Sequence, residues 1–152
     1  MFKEVEGNLI EMTDAGMFDV IAHGANCLHT MGAGIAKKLR RRWPIVYEID
    51  CETLRAYEGK LGTISVATVE TDSGTANVIN CYSQFKYGKG QQFAEYGAIR
   101  SCMMKIKKQF GDKRIGLPKI GCNLAGGKWS IVKKIMMEEL AGCDVTFVKY
   151  TG

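Results

Sequence analysis

Two glycine-rich loops, one near each end of the chain, constrain this sequence most, because each follows a short apolar run and each leads into a helix-patterned segment. The first runs His23-Gly24-Ala25-Asn26-Cys27 and continues through Met31-Gly32-Ala33-Gly34-Ile35-Ala36; the second is Gly121-Cys122-Asn123-Leu124-Ala125-Gly126-Gly127, after Ile115-Gly116-Leu117-Pro118. A strand that delivers the chain into a loop and then a helix is the repeating unit of an α/β sheet protein. Glycines at this density let backbone N–H groups come close to an anion, and a following helix turns its positive dipole end the same way. Two such loops can wall one crevice, so the expected ligand is an elongated phosphate, most simply a diphosphate.

The rest of the pattern agrees with that unit. Residues 2–6 alternate as a strand and stop at the turn Gly7-Asn8, and residues 18–22 form a continuous apolar run, as a strand buried on both faces does. From Gly34 a helix is expected, with Ile35, Leu39 and Trp43 on one face, closed by Pro44. A second helix is expected over residues 45–57, carrying Tyr47, Cys51 and Leu54 inward. Residues 63–69 and 76–82 are β-rich runs around Thr71-Asp72-Ser73-Gly74, a hairpin signal. Gly88-Lys89-Gly90 marks a loop; Tyr96, Ile99, Met103, Ile106 and Phe110 make a helical stripe. Arg114 to Leu117 reads as a strand, Trp129, Val132, Met136 and Leu140 as an amphipathic helix, and Asp144 to Tyr150 as a final strand. The expected fold is an α/β/α sandwich of three layers around a mixed, mostly parallel six-stranded sheet. Ligands of such sheets sit at the carboxyl ends of the strands, where both glycine loops begin.

The 152 residues suit a single domain spanning 1–152, and 46% hydrophobic against 24% charged residues is a globular balance. No apolar stretch is long enough to cross a bilayer. The first residues lack the apolar core of a signal peptide, so a cytoplasmic location is expected, with no membrane partner. Six cysteines, at 27, 51, 81, 102, 122 and 143, form no C-x-x-C pair and read as buried thiols. The net charge of +5 has its densest run at Lys37, Lys38, Arg40, Arg41 and Arg42, compatible with attraction of an anionic ligand; a solvated helix face is favoured over a nucleic-acid groove because no aromatic residue interleaves the run.

Several separated motifs resemble, in order, those of the macro domain family, which binds ADP-ribose. They are Gly7-Asn8-Leu9-Ile10, the strand-end Asn26, Gly32-Ala33-Gly34-Ile35-Ala36, Leu117-Pro118-Lys119-Ile120-Gly121 with Trp129, and Phe147-Val148-Lys149-Tyr150. The chain looks closest to the branch holding the ADP-ribose 1''-phosphate phosphatases and a glycohydrolase acting on ADP-ribosylated acidic side chains. The resemblance implies binding of ADP-ribose or a phosphorylated derivative, with hydrolysis of the 1''-phosphate. Its alternatives are a reader without turnover, or a glycohydrolase that takes ADP-ribose off modified macromolecules.

Carried over by position, Asn8, beside Leu9, would accept the adenine amino group. Asn26 would hold the distal ribose. Gly32, Ala33, Gly34, Ile35 and Ala36 would line that ribose and its phosphate; Asn123, Leu124, Ala125, Gly126 and Gly127 would offer amides to the diphosphate, with Gly121 and Cys122 also in the ligand set. Tyr150 and Gln84 complete the implied ligand set. In the glycohydrolase branch a lysine and an aspartate stand where this sequence has Gln84 and Ala125. Neither replacement can form a Schiff base or accept a proton, although Lys86 is near in sequence.

His23 is the natural candidate for moving a proton, with Asn26 orienting the sugar; the bland alternative is a hydrogen-bonded structural histidine. His23, Cys27 and His29 lack a fourth partner for zinc, so no metal and no cofactor is expected. Lys37 stands where a dinucleotide fingerprint needs its third glycine, and no third group orients Cys27 as a nucleophile. Tyr82, Phe85 and Tyr87 either stack on a base or pack inside.

Overall fold

A computed structural model describes residues 1–88, 91–122 and 125–151. Six strands, β1 (Phe2–Gly7), β2 (Val20–Ala25), β3 (Ile64–Thr71), β4 (Gly74–Tyr82), β5 (Arg114–Leu117) and β6 (Asp144–Tyr150), form one sheet in the order β1-β6-β5-β2-β4-β3. All neighbours are parallel except β3, which returns antiparallel to β4 through the Asp72-Ser73 turn. Helices α1 (Leu9–Asp14), α2 (Gly34–Arg42) and α3 (Ile45–Cys51) cover one face, and α4 (Tyr96–Phe110) and α5 (Trp129–Glu139) the other. The mixed three-layer sandwich is the fold that the residue pattern implied.

The two apolar layers follow from strand alternation. Val20 and Ala22 join Ile79, Ile115, Ile99, Met103, Val132 and Met136 on the α4/α5 face. Ile21 joins Val78, Leu39, Trp43 and Val46 on the other. Both sets are buried, as expected of parallel strands covered by helices on both sides. The α4 stripe buries Ile99, Cys102, Met103 and Ile106. Cys27, Cys81, Cys102 and Cys143 are buried free thiols, Cys122 is half-buried, and Cys51 is exposed. Among the described residues no helix is long and apolar enough to cross a membrane.

Three local expectations need correction. The first central strand is Val20–Ala25, not 18–22, because β4 supplies parallel partners to its last three residues: His23 faces Asn80, Gly24 faces Cys81 and Ala25 faces Tyr82. His23 is therefore a sheet residue, and the loop begins at Asn26. The helix expected over 45–57 stops at Cys51, with Val46 and Asp50 inward, while Leu54 is 67% exposed. Thr53 Oγ1 donates to the Asp50 carbonyl (2.6 Å), Ala56 N donates to Cys27 O (2.7 Å) and Ala56 itself turns left-handed at φ 56°, so the chain is pulled off the helix axis. Helix α1 lies outside the expected elements, although the sequence carries its signal: Asn8 is an N-cap whose Oδ1 accepts from Glu11 N at 3.1 Å.

The edge opposite the loops is pinned by Asp19 and Arg114. Arg114 donates from its backbone N, Nε and one terminal nitrogen to the Asp19 carboxylate at 2.9–3.1 Å, and Asp19 N donates to Arg114 O at 2.9 Å. Those bonds, led by the side-chain contact, lower the Asp19 pKa from 3.8 to about 2. A lowered carboxylate contributes stability that is complete above pH 3.8 and disappears as pH falls towards 2. The pair is half-exposed, so its effect is muted by solvent. Asp19→Asn is expected to lower stability modestly at pH 7 and to flatten the loss between pH 4 and 2, measured by urea denaturation across that range.

Candidate functional site

Parallel pairing of five strands puts five chain exits on one edge of the sheet. Asn8 follows β1, Tyr150 ends β6, Pro118–Cys122 follow β5, Asn26 and His29–Ala33 follow β2, and Gln84 follows β4. All border one cleft of about 1100 Å³. Four interstrand spacings of about 4.8 Å give the groove a length of roughly 19 Å from the β1 exit to the β4 exit. The two glycine loops meet at its middle, because β2 and β5 are adjacent.

The second loop is held by its own backbone. Gly127 N donates to Gly121 O (2.7 Å), Phe93 N and Ala94 N donate to Ala125 O (2.7 and 3.1 Å), and Gly121 turns at φ 75°. A Cβ on Gly127 would lie 2.3 Å from Gly121 O, a backbone atom with no freedom to step aside. In the first loop, Asn26 Nδ2 donates to Thr30 O (3.1 Å) and Thr30 Oγ1 (2.7 Å), while Asn26 Oδ1 accepts from Leu28 N (2.9 Å). Asn26 thus ties the loop together with both ends of its amide. Ala33, the N-cap of α2, supplies no side-chain acceptor, so the leading amides of this nine-residue helix gain no cap from that residue.

Of the residues expected from sequence, Asn8, Leu9, His23, Asn26, Gly32, Ala33, Gly34, Ile35, Ala36, Gln84, Gly121, Cys122, Ala125 and Tyr150 line this cleft. Gly126 adjoins it without lining it, and Asn123 and Leu124 lie outside the described residues. Asn8 Oδ1 already accepts from Glu11 N, which leaves it one further acceptor position. Gln84 Nε2 donates to Lys86 O (2.8 Å), while Lys86 is exposed and does not line the cleft. Tyr82 is buried in the interior, Phe85 is half-buried and Tyr87 lies on the cleft wall.

The sequence linked the basic run to an anionic ligand but assigned none of its residues, nor Lys119 or Lys149, to the site. Lys38, Arg40, Lys119 and Lys149 border the cleft, and none of its described lining residues is Asp or Glu. The basic run of α2 is therefore only in part a solvated face. Lys38 Nζ sits 3.5 Å from the Tyr150 ring centroid and the Arg40 guanidinium 3.7 Å from that of Tyr47, while Arg42 turns away to Asp14. Helical phase contained that signal: Leu39 and Trp43 face inward, so Lys38 and Arg40 flank the buried stripe. Tyr47 and His29 add a wall that no motif marked, with Tyr47 Oη donating to His29 O (3.0 Å).

His23 is fully buried at the cleft floor. Its Nε2 is 2.5 Å from Asn80 Oδ1, and its Nδ1 has no partner among the described residues. Burial lowers its pKa, outweighing the Asn80 bond, the Asp50 charge and a weaker contribution from the Gly24 backbone, and so favours the neutral ring. Burial likewise raises the thiol pKa of Cys27 and of Cys122, keeping both protonated. Among the described residues no three His, Cys, Asp or Glu side chains converge as a metal site.

The family model for the Macro domain matches residues 22–136. The 17.5 kDa protein in the tk-vs intergenic region of Enterobacteria phage T4 is 33% identical over 97% of this chain and 96% of its own length. An X-ray structure of a Bacteroides thetaiotaomicron protein superposes with a TM-score of 0.76 at 25% identity, over 99% of each chain. Thermosipho africanus DarTG in complex with ADP-ribose gives a TM-score of 0.76 at 21% identity, over 98% of this chain and 41% of that one.

Gly127→Ala is expected to open the second loop, costing about 1–3 kcal/mol of stability from the backbone clash and weakening anion binding in the cleft. Thermal denaturation alongside a diphosphate titration checks both effects.

Proposed function

We propose, since the chain belongs to the macro domain family, that its cleft binds ADP-ribose. The observation that carries this reading is the run of five strand exits along one groove, with two glycine loops at its centre and only cationic charge on its described walls. Adenine lies at the β1/β6 end, against Tyr150 and Asn8. The diphosphate lies between the loops, where amides of the Gly121 turn and the start of α2 neutralise it, aided by Lys38 and Lys119. The distal ribose lies over Asn26 and the floor residue His23, with Asn26 acting chiefly by holding its loop in shape. The ADP-ribose held by the DarTG structure of like fold supports the ligand's identity.

A second step is favoured by one specific feature, the unpartnered His23 Nδ1. A neutral imidazole with a bare nitrogen can take the proton of a water that attacks the phosphorus of ADP-ribose 1''-phosphate. The P–O bond to the ribose breaks, and inorganic phosphate and ADP-ribose leave. Loop amides offset the charge that builds on the phosphoryl oxygens. Gln84 and Ala125 supply neither an amine nor a carboxylate, and Lys86 lies off the cleft, so removal of ADP-ribose through a Schiff base draws no support from these positions.

Calorimetry is expected to detect ADP-ribose binding that weakens as salt rises, because the walls are basic. Tyr150→Ala removes a stacking surface and is expected to weaken binding about tenfold, from a stacking contribution of about 1–3 kcal/mol. Release of phosphate from ADP-ribose 1''-phosphate tests the second step: His23→Gln is expected to slow it about 10²–10⁴-fold while ADP-ribose still binds. Binding with no phosphate release from the unaltered protein selects a reader of ADP-ribose or of ADP-ribosylated macromolecules instead.

A further inference from the structure

Beneath the cleft floor, on the α3 side of the sheet, lies a line of polar side chains that loop-based reasoning does not reach. Asp50 on α3 is 1% exposed, Asn80 on β4 is fully buried, and Tyr82 on β4 is buried beside Lys60, itself 5% exposed. The contacts run in sequence: Tyr82 Oη to Asp50 Oδ1 at 2.8 Å, Ser65 Oγ to Tyr82 Oη at 2.9 Å, Asn80 Nδ2 to Ser65 Oγ at 3.1 Å, and Asn80 Oδ1 to His23 Nε2 at 2.5 Å. Lys60 Nζ stands 4.0 Å from Asp50 Oδ1 and 4.3 Å from the centre of the Tyr82 ring.

The donor and acceptor inventory allows one direction through this line. The Asp50 carboxylate, paired with Lys60, only accepts, so Tyr82 spends its single proton on it. Ser65 must then donate to Tyr82, which makes its oxygen the acceptor for Asn80 Nδ2. A second anchor gives the same answer: Val46 O, a carbonyl that only accepts, lies 3.2 Å from Asn80 Nδ2. Both fix the amide with its oxygen towards His23, so His23 Nε2 must carry a proton. In a neutral imidazole the remaining nitrogen then holds a lone pair, and that nitrogen is the one without a partner.

We propose that this directional hydrogen-bond chain, with Asn80 as the positioning residue, holds His23 in the Nε2–H tautomer and leaves Nδ1, a buried atom of a cleft-lining residue, as the acceptor for a hydroxyl of bound ADP-ribose, in the place a water takes when the phosphorylated ligand is bound. The ligand half rests on the ADP-ribose reading above; the tautomer half stands on the buried contacts alone. It explains a costly arrangement. A buried acceptor left unmade is penalised by about 1–3 kcal/mol, and a hydroxyl that arrives with the ligand removes that penalty. The chain would thereby favour sugars that offer a hydroxyl at this point over deoxy analogues.

The test reads the ring nitrogens directly. Long-range proton–nitrogen correlation spectra of the full ¹⁵N-labelled chain at pH 7 contain two imidazoles, and a His29→Gln variant assigns them. The expected result for His23 is a pyrrole-like Nε2 and a pyridine-like Nδ1, with Nδ1 moving on saturation by ADP-ribose while Nε2 stays. Asn80→Asp replaces the amide by a carboxylate; it is expected to leave His23 doubly protonated at pH 7 and to weaken ADP-ribose binding about tenfold. An Nδ1–H tautomer or an imidazolium in the unaltered protein overturns the proposal, whether or not the variant folds. An Nδ1 signal unmoved in a chain saturated with ADP-ribose overturns its ligand half and leaves the binding reading intact. The expected tautomer in a chain that takes up no ADP-ribose sinks the functional reading, and the ligand half with it.

Discussion

Parallel pairing of β2 with β5 on one side and β4 on the other is the constraint from which the rest of this molecule follows. In a parallel sheet every strand runs the same way, so every exit falls on the same edge. Two glycine loops separated by about ninety residues of sequence thereby become neighbours, and residues from both ends of the chain, Asn8 and Tyr150, complete the same groove. The antiparallel exception, β3, lies at the sheet's outer edge and contributes nothing to the cleft lining. Helices on both faces are needed to bury the strands, and the α2 that covers the sheet also aims its first turn at the cleft. Packing and binding are thus two uses of the same elements.

Fold and cleft were legible in the sequence to different depths. Strand runs, the hairpin and the stripes of α4 and α5 could be read because burial on a sheet face or under a helix imposes a period of 2 or 3.6. Local competition hid the rest. The end of β2 looked like loop because His23 and Gly24 are poor strand residues; only pairing with Asn80 and Cys81 keeps them in the sheet. The end of α3 was overrun because residues 52–57 have ordinary helical composition, and what stops them is a bond from Ala56 to Cys27 across the fold. No window of sequence contains both partners.

Site residues divide in the same way. Glycines that must accept a close backbone, such as Gly127 against Gly121 O, announce themselves by type. Lys38 and Arg40 could be placed only by the phase of α2, and Tyr47 only by the crossing of α2 and α3. Asn80, Ser65, Tyr82 and Asp50 were invisible as a set. Each is unremarkable in its own segment, and the hydrogen-bond chain exists only because β3, β4 and α3 stack there.

That buried chain is best understood by what it would cost as mere scaffolding. An Asp50–Lys60 pair at 4.0 Å loses the hydration of both groups for a loose contact, and apolar residues of similar volume commonly serve stability as well or better. Its value lies in direction. A carboxylate at one end fixes the direction of the Tyr82, Ser65 and Asn80 donors in turn, so the far end has a defined donor state with no carboxylate on the described cleft lining. The cleft itself holds no carboxylate among its described lining residues, as suits a polyanionic ligand, and yet an imidazole there needs a neighbour to set its tautomer. Placing the anion on α3, behind Tyr82 and Asn80, is compatible with both: a polyanionic ligand would meet only positive charge on the described walls, while His23 Nε2 faces the Asn80 amide oxygen.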